Sequence, residues 1–564
     1  ASGDITLLPQ KTNLIYQTSL IYCFNDEQSL YYIDKEFNFY AFHIPTQKNE
    51  FIANLGKEIQ ERGKISSIVH YHNSYFVGFL MDGILLLEKQ KETEHYQIQS
   101  LPINSGVFCL KKDRFQDVVW IGTDGQGVYL YSNPLYSIKS MVLSNYTEKI
   151  ERPVRAIYLD DERTFWVGTK GNGILKIYDY EFDKNISDCR AEVLTTSNSA
   201  LSSNAVYCFA KSHRNLLWIG DEEGLTYYSY REKRIKSIPI RIGNEDFKYI
   251  HDIYETADSE LWLASVGMGV VKARIAGTPD NPVIVDAQRY IINDGELGSN
   301  YFFTIYAENE ANLLFGNKGY GVFRYNETTN GLEPVSTHKY ENMTLNNILA
   351  ISKDSSNNYL FGTSYGLIKY TSETSYQLFN AKNGFLNNTI HAILRNSSDN
   401  FWLSTNLGLI NFDTKRNVFR SYGFGDGLKV VEFSDGAAFR DSRTGTLFFG
   451  GINGVVAIRA DGRPEQLYMP PVYFDKLSIF GEQYNLGEFL TRKKETEVLN
   501  LQYDQNFFSV SFASVDYLNG NNCTYFYKLK GLSDQWVNNG SESGVSFTNM
   551  APGEYTLLVK YYNS

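Results

Sequence analysis

The sequence predicts an all-β chain. It reads as a β-propeller, with a seven-bladed ring and additional blades of a second, N-terminal propeller, followed by a C-terminal β-sandwich. Three observations carry this: a long-period repeat, a composition rich in aromatics and glycine, and a change of pattern after Gly454. The repeat consists of nine anchors in which two bulky apolar residues run into Gly or another small residue. They are Phe76-Val77-Gly78, Trp120-Ile121-Gly122, Trp166-Val167-Gly168, Trp218-Ile219-Gly220, Trp262-Leu263-Ala264, Leu314-Phe315-Gly316, Leu360-Phe361-Gly362, Trp402-Leu403-Ser404 and Phe448-Phe449-Gly450. Successive anchors lie roughly 42 to 52 residues apart, the period of a four-stranded blade.

Each unit repeats one order of elements, clearest over Val206–Tyr228. An apolar strand meets a polar turn, a second strand carries the Trp, and a Gly turn leads into a third strand rich in Tyr. Gly suits such turns because it takes positive φ without a steric cost, and the aromatic fills the wedge between blades. A lone blade cannot bury both faces, whereas several around an axis can.

Composition agrees. The chain has 564 residues, too long for one domain, and 43% hydrophobic with 15% aromatic residues supplies the core. With 42 Tyr and 44 Gly it suits many strands joined by tight turns, and 13 Pro argues against low-complexity linkers. A net charge of −11 speaks against generic binding to nucleic acid or an anionic membrane. No apolar stretch reaches membrane-span length and no leader-like segment opens the sequence, so any signal peptide or membrane segment is expected outside it. The five cysteines, Cys23, Cys109, Cys189, Cys208 and Cys523, have no metal-ligand spacing. Cys109 and Cys208 share one column of the repeat, which reads as a small buried hydrophobe on an inner strand.

The repeats stop after Gly454, and Pro470-Pro471 opens alternating segments such as Phe507–Val515, Tyr525–Leu529 and Tyr555–Tyr561, the pattern of sandwich strands. A last strand is expected beyond Asn563. Counting back, the seven anchors from Gly168 to Gly450 complete a ring. The two earlier anchors and a Tyr-rich hairpin near Leu20–Phe42 give three blades, which belong to an upstream propeller or join one larger ring. The expected domains are residues 1–150, an incomplete N-terminal propeller; 151–466, a seven-bladed propeller; and 467–564, the sandwich.

These motifs resemble a family. The repeats resemble the regulator-propeller repeats of the sensor regions of hybrid two-component systems from glycan-degrading gut bacteria. Glu432-Phe433-Ser434-Asp435-Gly436-Ala437, followed by Gly445–Gly454, resembles that family's terminal blade, and Ser511–Ser514, Tyr525–Leu532, Trp536 and Ala551–Tyr555 resemble its triple-tyrosine domain. The resemblance implies a periplasmic sensing region with no cofactor. Its signal would pass through the sandwich to a histidine kinase outside this chain, in a membrane-anchored homodimer that regulates transcription. The resembled family often carries about fourteen blades, and the membrane helix, kinase, receiver and DNA-binding regions that usually follow the sandwich are not in this sequence.

Catalytic motifs are weak. Gly362-Thr363-Ser364-Tyr365-Gly366 matches a nucleophile elbow as a string, but its column elsewhere reads Gly122–Gly127 and Gly168–Gly173, so Ser364 reads as a turn residue. Those glycine turns lack a following helix to cradle phosphate. The eight His show no metal spacing and nothing singles out two catalytic carboxylates. The Trp column reads as core.

The strands lining the axis are more informative. An Asn stands before the inner strand at Asn204, Asn300, Asn346 and Asn388, and just beyond it the residue varies: Arg155, Tyr207, His251, Phe303, Leu349, His391. Repeated scaffold with variable residues at one end is how a recognition surface is built. Arg155, Asn204, Tyr207, His251, Asn300, Asn388 and His391 are therefore the candidate ligand-binding residues, with an oligosaccharide or other glycan breakdown product as ligand. The alternatives are a merely plugged channel, a propeller glycoside hydrolase or polysaccharide lyase with paired carboxylates or a Tyr–His pair in the funnel, or a pure protein-interaction scaffold, which the fold alone supports.

Overall fold

The structure, a computed structural model, describes residues 20–562 except 27, 90–94, 133–135, 146–149, 293–299, 336–345, 373, 386, 427, 461–470, 494–495 and 518–523. Cys523 and Pro470 fall outside the described residues. The chain separates into two compact units, residues 1–134 with 464–469, and residues 135–463 with 470–564.

Among the described residues the first unit contains three meander sheets. Two are four-stranded, running from Leu20–Asn25 to Lys48–Asn54 and from Ile65–Tyr71 to Tyr96–Ser100; the third comprises Val107–Lys112, Val118–Thr123 and Val128–Ser132. One apolar cluster joins the first sheet to the second and another joins the second to the third. Cys109 corrects the sequence reading. Cys208 is buried beneath Ile250 of the following blade, but Cys109 is exposed, because among the described residues no further inner strand covers its sheet.

In the second unit seven four-stranded sheets form a closed ring. Their innermost strands are Val154–Leu159, Val206–Lys211, Ile250–Glu255, Phe302–Asn309, Ile348–Lys353, Ala392–Arg395 and Phe433–Arg440, here numbered as blades 1 to 7. Each inner strand contacts the next, and that of blade 7 contacts that of blade 1. Seven apolar clusters each straddle one blade-to-blade boundary. The core therefore lies between blades rather than within them.

Closure uses a strand from ahead of the ring's first anchor. Tyr136–Val142 pairs antiparallel along its whole length with Gly454–Ala460, from Tyr136 opposite Ala460 to Val142 opposite Gly454. Blade 7 is thus built from both ends of the ring's sequence. This strand lies ahead of residue 151, where the sequence pattern places the start of the ring.

The anchor residues are small for a packing reason. A Cβ built on Gly168 would sit 2.7 Å from Val206 Cγ1, on Gly362 2.9 Å from Ile390 Cγ2, and on Gly450 2.6 Å from Val154 Cγ1. In each case a β-branched residue at, or just ahead of, the start of the next blade's inner strand occupies the space. Gly168→Val is expected to overpack this boundary and cost about 1–3 kcal/mol, read as a lowered denaturant midpoint at unchanged m-value.

The Trp column is core in the ring: Trp166, Trp218, Trp262 and Trp402 are fully buried. The aspartate turn ahead of the column has a visible purpose. Asp160 accepts from Thr164 N at 2.8 Å and from the Trp166 indole Nε1 at 2.9 Å, and Asp113 accepts from Trp120 Nε1 at 3.0 Å. Trp536 of the sandwich departs from this; it is partly exposed, with Lys560 4.4 Å from its ring centroid.

The sandwich packs a four-stranded sheet (Glu482–Tyr484, Val472–Ile479, Phe508–Ser514, Gly544–Phe547) on a three-stranded one (Val537–Gly540, Thr524–Lys530, Thr556–Tyr562). Phe512, Tyr525, Leu529, Val545, Phe547 and Tyr561 fill the space between them.

Candidate functional site

The inner strands share one irregularity. In blades 1 to 5 the register slips between the first and third residues of the strand, at Val154/Ala156, Val206/Cys208, Ile250/Asp252, Phe302/Thr304 and Ile348/Ala350. The skipped residue is Arg155, Tyr207, His251, Phe303 or Leu349. A bulge re-aims the side chain of its extra residue, so a sequence column that varies freely becomes a set of side chains presented together at one end of the channel.

Blade 7 carries a larger interruption. Phe433 pairs with Gly451, yet pairing resumes only at Ala438 with Phe449. The intervening Ser434–Ala437 segment bulges out of the sheet, and this strand contacts inner strands across the ring, those of blades 2, 4 and 5. Gly436 takes φ +68°, and its N–H donates to the His391 carbonyl of blade 6. The terminal-blade motif is therefore a plug across the axis. Its Asp435 is presented to the neighbouring blades, and a Cβ on Gly436 would meet nothing within 4 Å.

Around the plug the side chains form a continuous circuit. Phe303 meets His251 edge-on at 5.7 Å, and His251 stacks on Tyr207 at 4.4 Å with 19° between the planes. The Arg155 guanidinium lies 6.0 Å from the Tyr207 ring centroid and 3.6 Å from Asp435 Oδ2. Asp435 Oδ1 is 2.5 Å from His391 Nδ1, and His391 Nε2 is 2.6 Å from Asn406 Oδ1. Four of the candidate residues, Arg155, Tyr207, His251 and His391, thus come together. Asp435 and Asn406 escaped the sequence reading. Asp435 sits in a motif read only as a family marker, and Asn406 sits in a turn whose column is otherwise structural.

The three candidate asparagines belong to the scaffold. Asn204, Asn300 and Asn388 accept, through Oδ1, the main-chain N–H of Thr196, Ile292 and Ala381 at 2.9, 2.8 and 2.9 Å. The carbonyls of Asn204 and Asn300 accept from the glycine turns at Gly171 and Gly173, and at Gly267 and Gly269. They lock the connection between blades below the variable residues, the work of an Asx turn. Their side-chain oxygens are already engaged.

Burial, followed by the charges of Arg155 and Lys170, pushes His251 down to about 3 from 6.5, with Asp435 opposing. His251 is therefore neutral at physiological pH. Burial alone would raise the Asp435 carboxyl, but the His391 hydrogen bond and the charges of His391 and Arg155 hold it below the usual range. Burial and Glu222 raise the Tyr207 phenol, which stays protonated.

The depressed His251 has a consequence for acid stability. In the unfolded chain it gains a proton as pH falls below 6.5, and in the folded chain not until near 3. Its contribution is complete above 6.5 and is lost as pH falls towards 3. His251→Asn is expected to remove this loss. Between pH 7 and 5 the wild-type chain should lose about 2 kcal/mol relative to the variant, measured by urea unfolding at each pH.

Other features carry less chemistry. In the Ser364 turn, Thr363 Oγ1 donates to the Gly366 carbonyl and accepts from Tyr365 N, with no helix following. Among the described residues no group of three or more His, Cys, Asp or Glu could hold a metal ion. A recess of about 210 Å³ between blades 5 and 6, lined by Asn358, Lys369, Thr371, Gln377 and Asn417 among others, has polar groups that bond one another or the adjacent backbone. Lys369 donates to the Thr414 carbonyl at 2.6 Å, Thr371 to Asn358 at 2.8 Å and Asn417 to Gln377 at 3.2 Å.

The circuit lies close along the chain to the sandwich contact. His391 follows a connection in which Asn388 holds Ala381, and the turn there continues to Gly384, φ +100°. A Cβ on Gly384 would lie 3.3 Å from the Phe419 ring and 3.9 Å from Ser541 Oγ of the sandwich. The turn is wedged between blade 6 and the sandwich.

Comparison with known proteins gives three findings. Residues 516–564 match the Y_Y_Y domain family. Over 477 residues the chain is 25% identical to "Histidine kinase P4" of Formosa agariphila, a match covering 81% of this chain and 30% of that protein. The chain thus spans about a third of the relative's length. Among solved structures, the extracellular domain of the hybrid two-component system BT3049 from B. thetaiotaomicron superposes with a TM-score of 0.57 at 23% identity, over 97% of this chain and 76% of that one. The propeller-and-sandwich fold is shared with that domain.

Proposed function

We propose that this chain is the periplasmic ligand-sensing region of a hybrid two-component sensor. It binds an oligosaccharide or other glycan breakdown product at the channel mouth and signals through the sandwich to a histidine kinase outside this chain. The observation that carries the reading is the circuit of Phe303, His251, Tyr207, Arg155, Asp435, His391 and Asn406. Aromatic faces suit the apolar faces of sugar rings, and the charged and amide groups beside them suit hydroxyls, which need directional partners. The Y_Y_Y match, the fold shared with a sensor's extracellular domain and the kinase relative support the signalling role.

The circuit is poorly made for catalysis. It contains one carboxylate, Asp435, where glycoside hydrolysis uses two. Tyr207 and His251 stack nearly parallel, an arrangement for packing rather than for passing a proton between them.

Transmission uses the wedge at Gly384. A ligand shifts a kinase only by preferring one arrangement of the sensor, and the connection from His391 to Gly384 links the mouth to the sandwich. The sandwich in turn is the element through which two copies associate in the membrane-anchored receptor.

Calorimetry with defined glycan fragments tests the reading. Binding that Tyr207→Ala abolishes without lowering the melting temperature is the expected result. A library of fragments with no binder, or binding indifferent to Tyr207 and His391, overturns it. Cysteines engineered into the sandwich should crosslink in the intact receptor; kinase output that responds to ligand with no sandwich position ever crosslinking removes this route of transmission.

A further inference from the structure

Arg155 is the least satisfied group in the circuit. Its Nε is buried and has no hydrogen-bond partner. Its Nη1 reaches Asp435 at 3.6 Å, beyond hydrogen-bond length, and the side chain is only 15% exposed. Asp435 is in closer contact with His391, at 2.5 Å. A guanidinium presents a planar fork of five donors, and burying it without acceptors is costly. The neighbours do not supply them: on one side lies the Tyr207 ring face, on the other a carboxylate held by a different partner.

The local charge points the same way. Although the chain carries −11 overall, Arg155 and Lys170 together oppose a proton on His251, with Asp435 the opposing negative charge. The Arg155 and Asp435 side chains both keep part of their surface open to solvent. A fork lacking acceptors, beside an aromatic stack and partly open to solvent, matches a planar or tetrahedral oxyanion attached to a ring with an apolar face.

Resting on the reading of the mouth as a saccharide site, we infer that its ligand is an acidic saccharide, with a carboxylate or sulfate ester seated on the Arg155 fork and the sugar ring against Tyr207. Asp435 and His391 set the depth of the seat: Asp435 holds the guanidinium by charge without using its Nε, and His391 holds Asp435 in place through Oδ1.

The test is titration calorimetry on the whole chain with matched arms: uronic-acid oligosaccharides, their carboxyl-reduced neutral counterparts, and sulfated oligosaccharides with their desulfated counterparts. Binding is expected in a charged arm and lost in its neutral match, and the charged arm that binds tells carboxylate from sulfate. Arg155→Gln is expected to weaken it about 10- to 100-fold, the loss of charge-assisted hydrogen bonds. Arg155→Lys, which keeps the charge but not the fork, should fall between, with unchanged melting temperature as the control for folding. Neutral saccharides binding as well as charged ones, or charged binding unchanged in Arg155→Gln and Arg155→Lys, overturns the acid preference; if Tyr207→Ala still abolishes that binding, the mouth remains the site. No binding in any arm, or binding indifferent to both Arg155 and Tyr207, overturns the acid preference and the site together.

Discussion

Removing residues 1–150 is expected to leave a ring that cannot close. Blade 7 would lose Tyr136–Val142, and Gly454–Ala460 would become an exposed edge strand with its outward ladder unpaired. Met141, fully buried in the cluster that joins blades 7 and 1, would go with it, as would Tyr136, whose ring meets Trp402 at 5.1 Å. Open edges of this kind pair with other chains. Residues 151–564 should therefore aggregate or melt broadly, whereas residues 135–564 should unfold cooperatively. Equal melting profiles of the two fragments by calorimetry would show that the strand does not hold the ring shut.

Trp218→Ala should be among the most damaging single substitutions. The side chain is fully buried in the cluster between blades 2 and 3, and a cavity of this kind costs about 3–5 kcal/mol. Its Nε1 also donates to Glu255 Oε2 at 2.8 Å, while Glu255 Oε1 is buried without a partner. Truncation leaves that carboxylate with the His213 N–H at 3.3 Å. Trp218→Phe separates the effects, since it keeps most of the volume and loses the hydrogen bond, which for a charged acceptor is worth about 1.5–3 kcal/mol. Unchanged melting with abolished ligand binding would mean that this Trp serves the site and not the core.

What the sequence made legible follows from which interactions are local. The anchor at Gly220 is visible because the strand carrying it must stay close to Ile250 in every copy, so a small residue recurs at a fixed offset. The closing strand Tyr136–Val142 is hard to see for the opposite reason. It has no anchor of its own, and its partner lies at the far end of the ring. Arg155, Tyr207 and His251 were readable as a column because a bulge falls at one place in the inner strands of blades 1 to 5, and His391 stands at the matching place just ahead of the blade 6 strand. Asp435 was not, since it reaches the same circuit from a longer bulge that breaks the register. Asn204, Asn300 and Asn388 recur beside the variable position because each fastens the connection ahead of its inner strand through its side-chain oxygen. Cys109 misled because a shared column does not guarantee a shared neighbour.

The pairing of Tyr136 with Ala460 also sets a clock on assembly. Adjacent blades bring together segments about 45 residues apart, but the closing seam joins the two extremes of the ring. By the logarithmic dependence of loop closure on length, this adds only about 2 kcal/mol of entropy when no blades have yet formed. The larger effect is temporal. During synthesis the seam has no partner until almost the whole ring has emerged, so Tyr136–Val142 must wait as an unpaired strand while six blades form beside it. Once zipped, the same seam resists opening, because the ring can spread at that point only by breaking a seven-residue ladder and the apolar clusters on either side. The molecule should be slow to mature and slow to come apart.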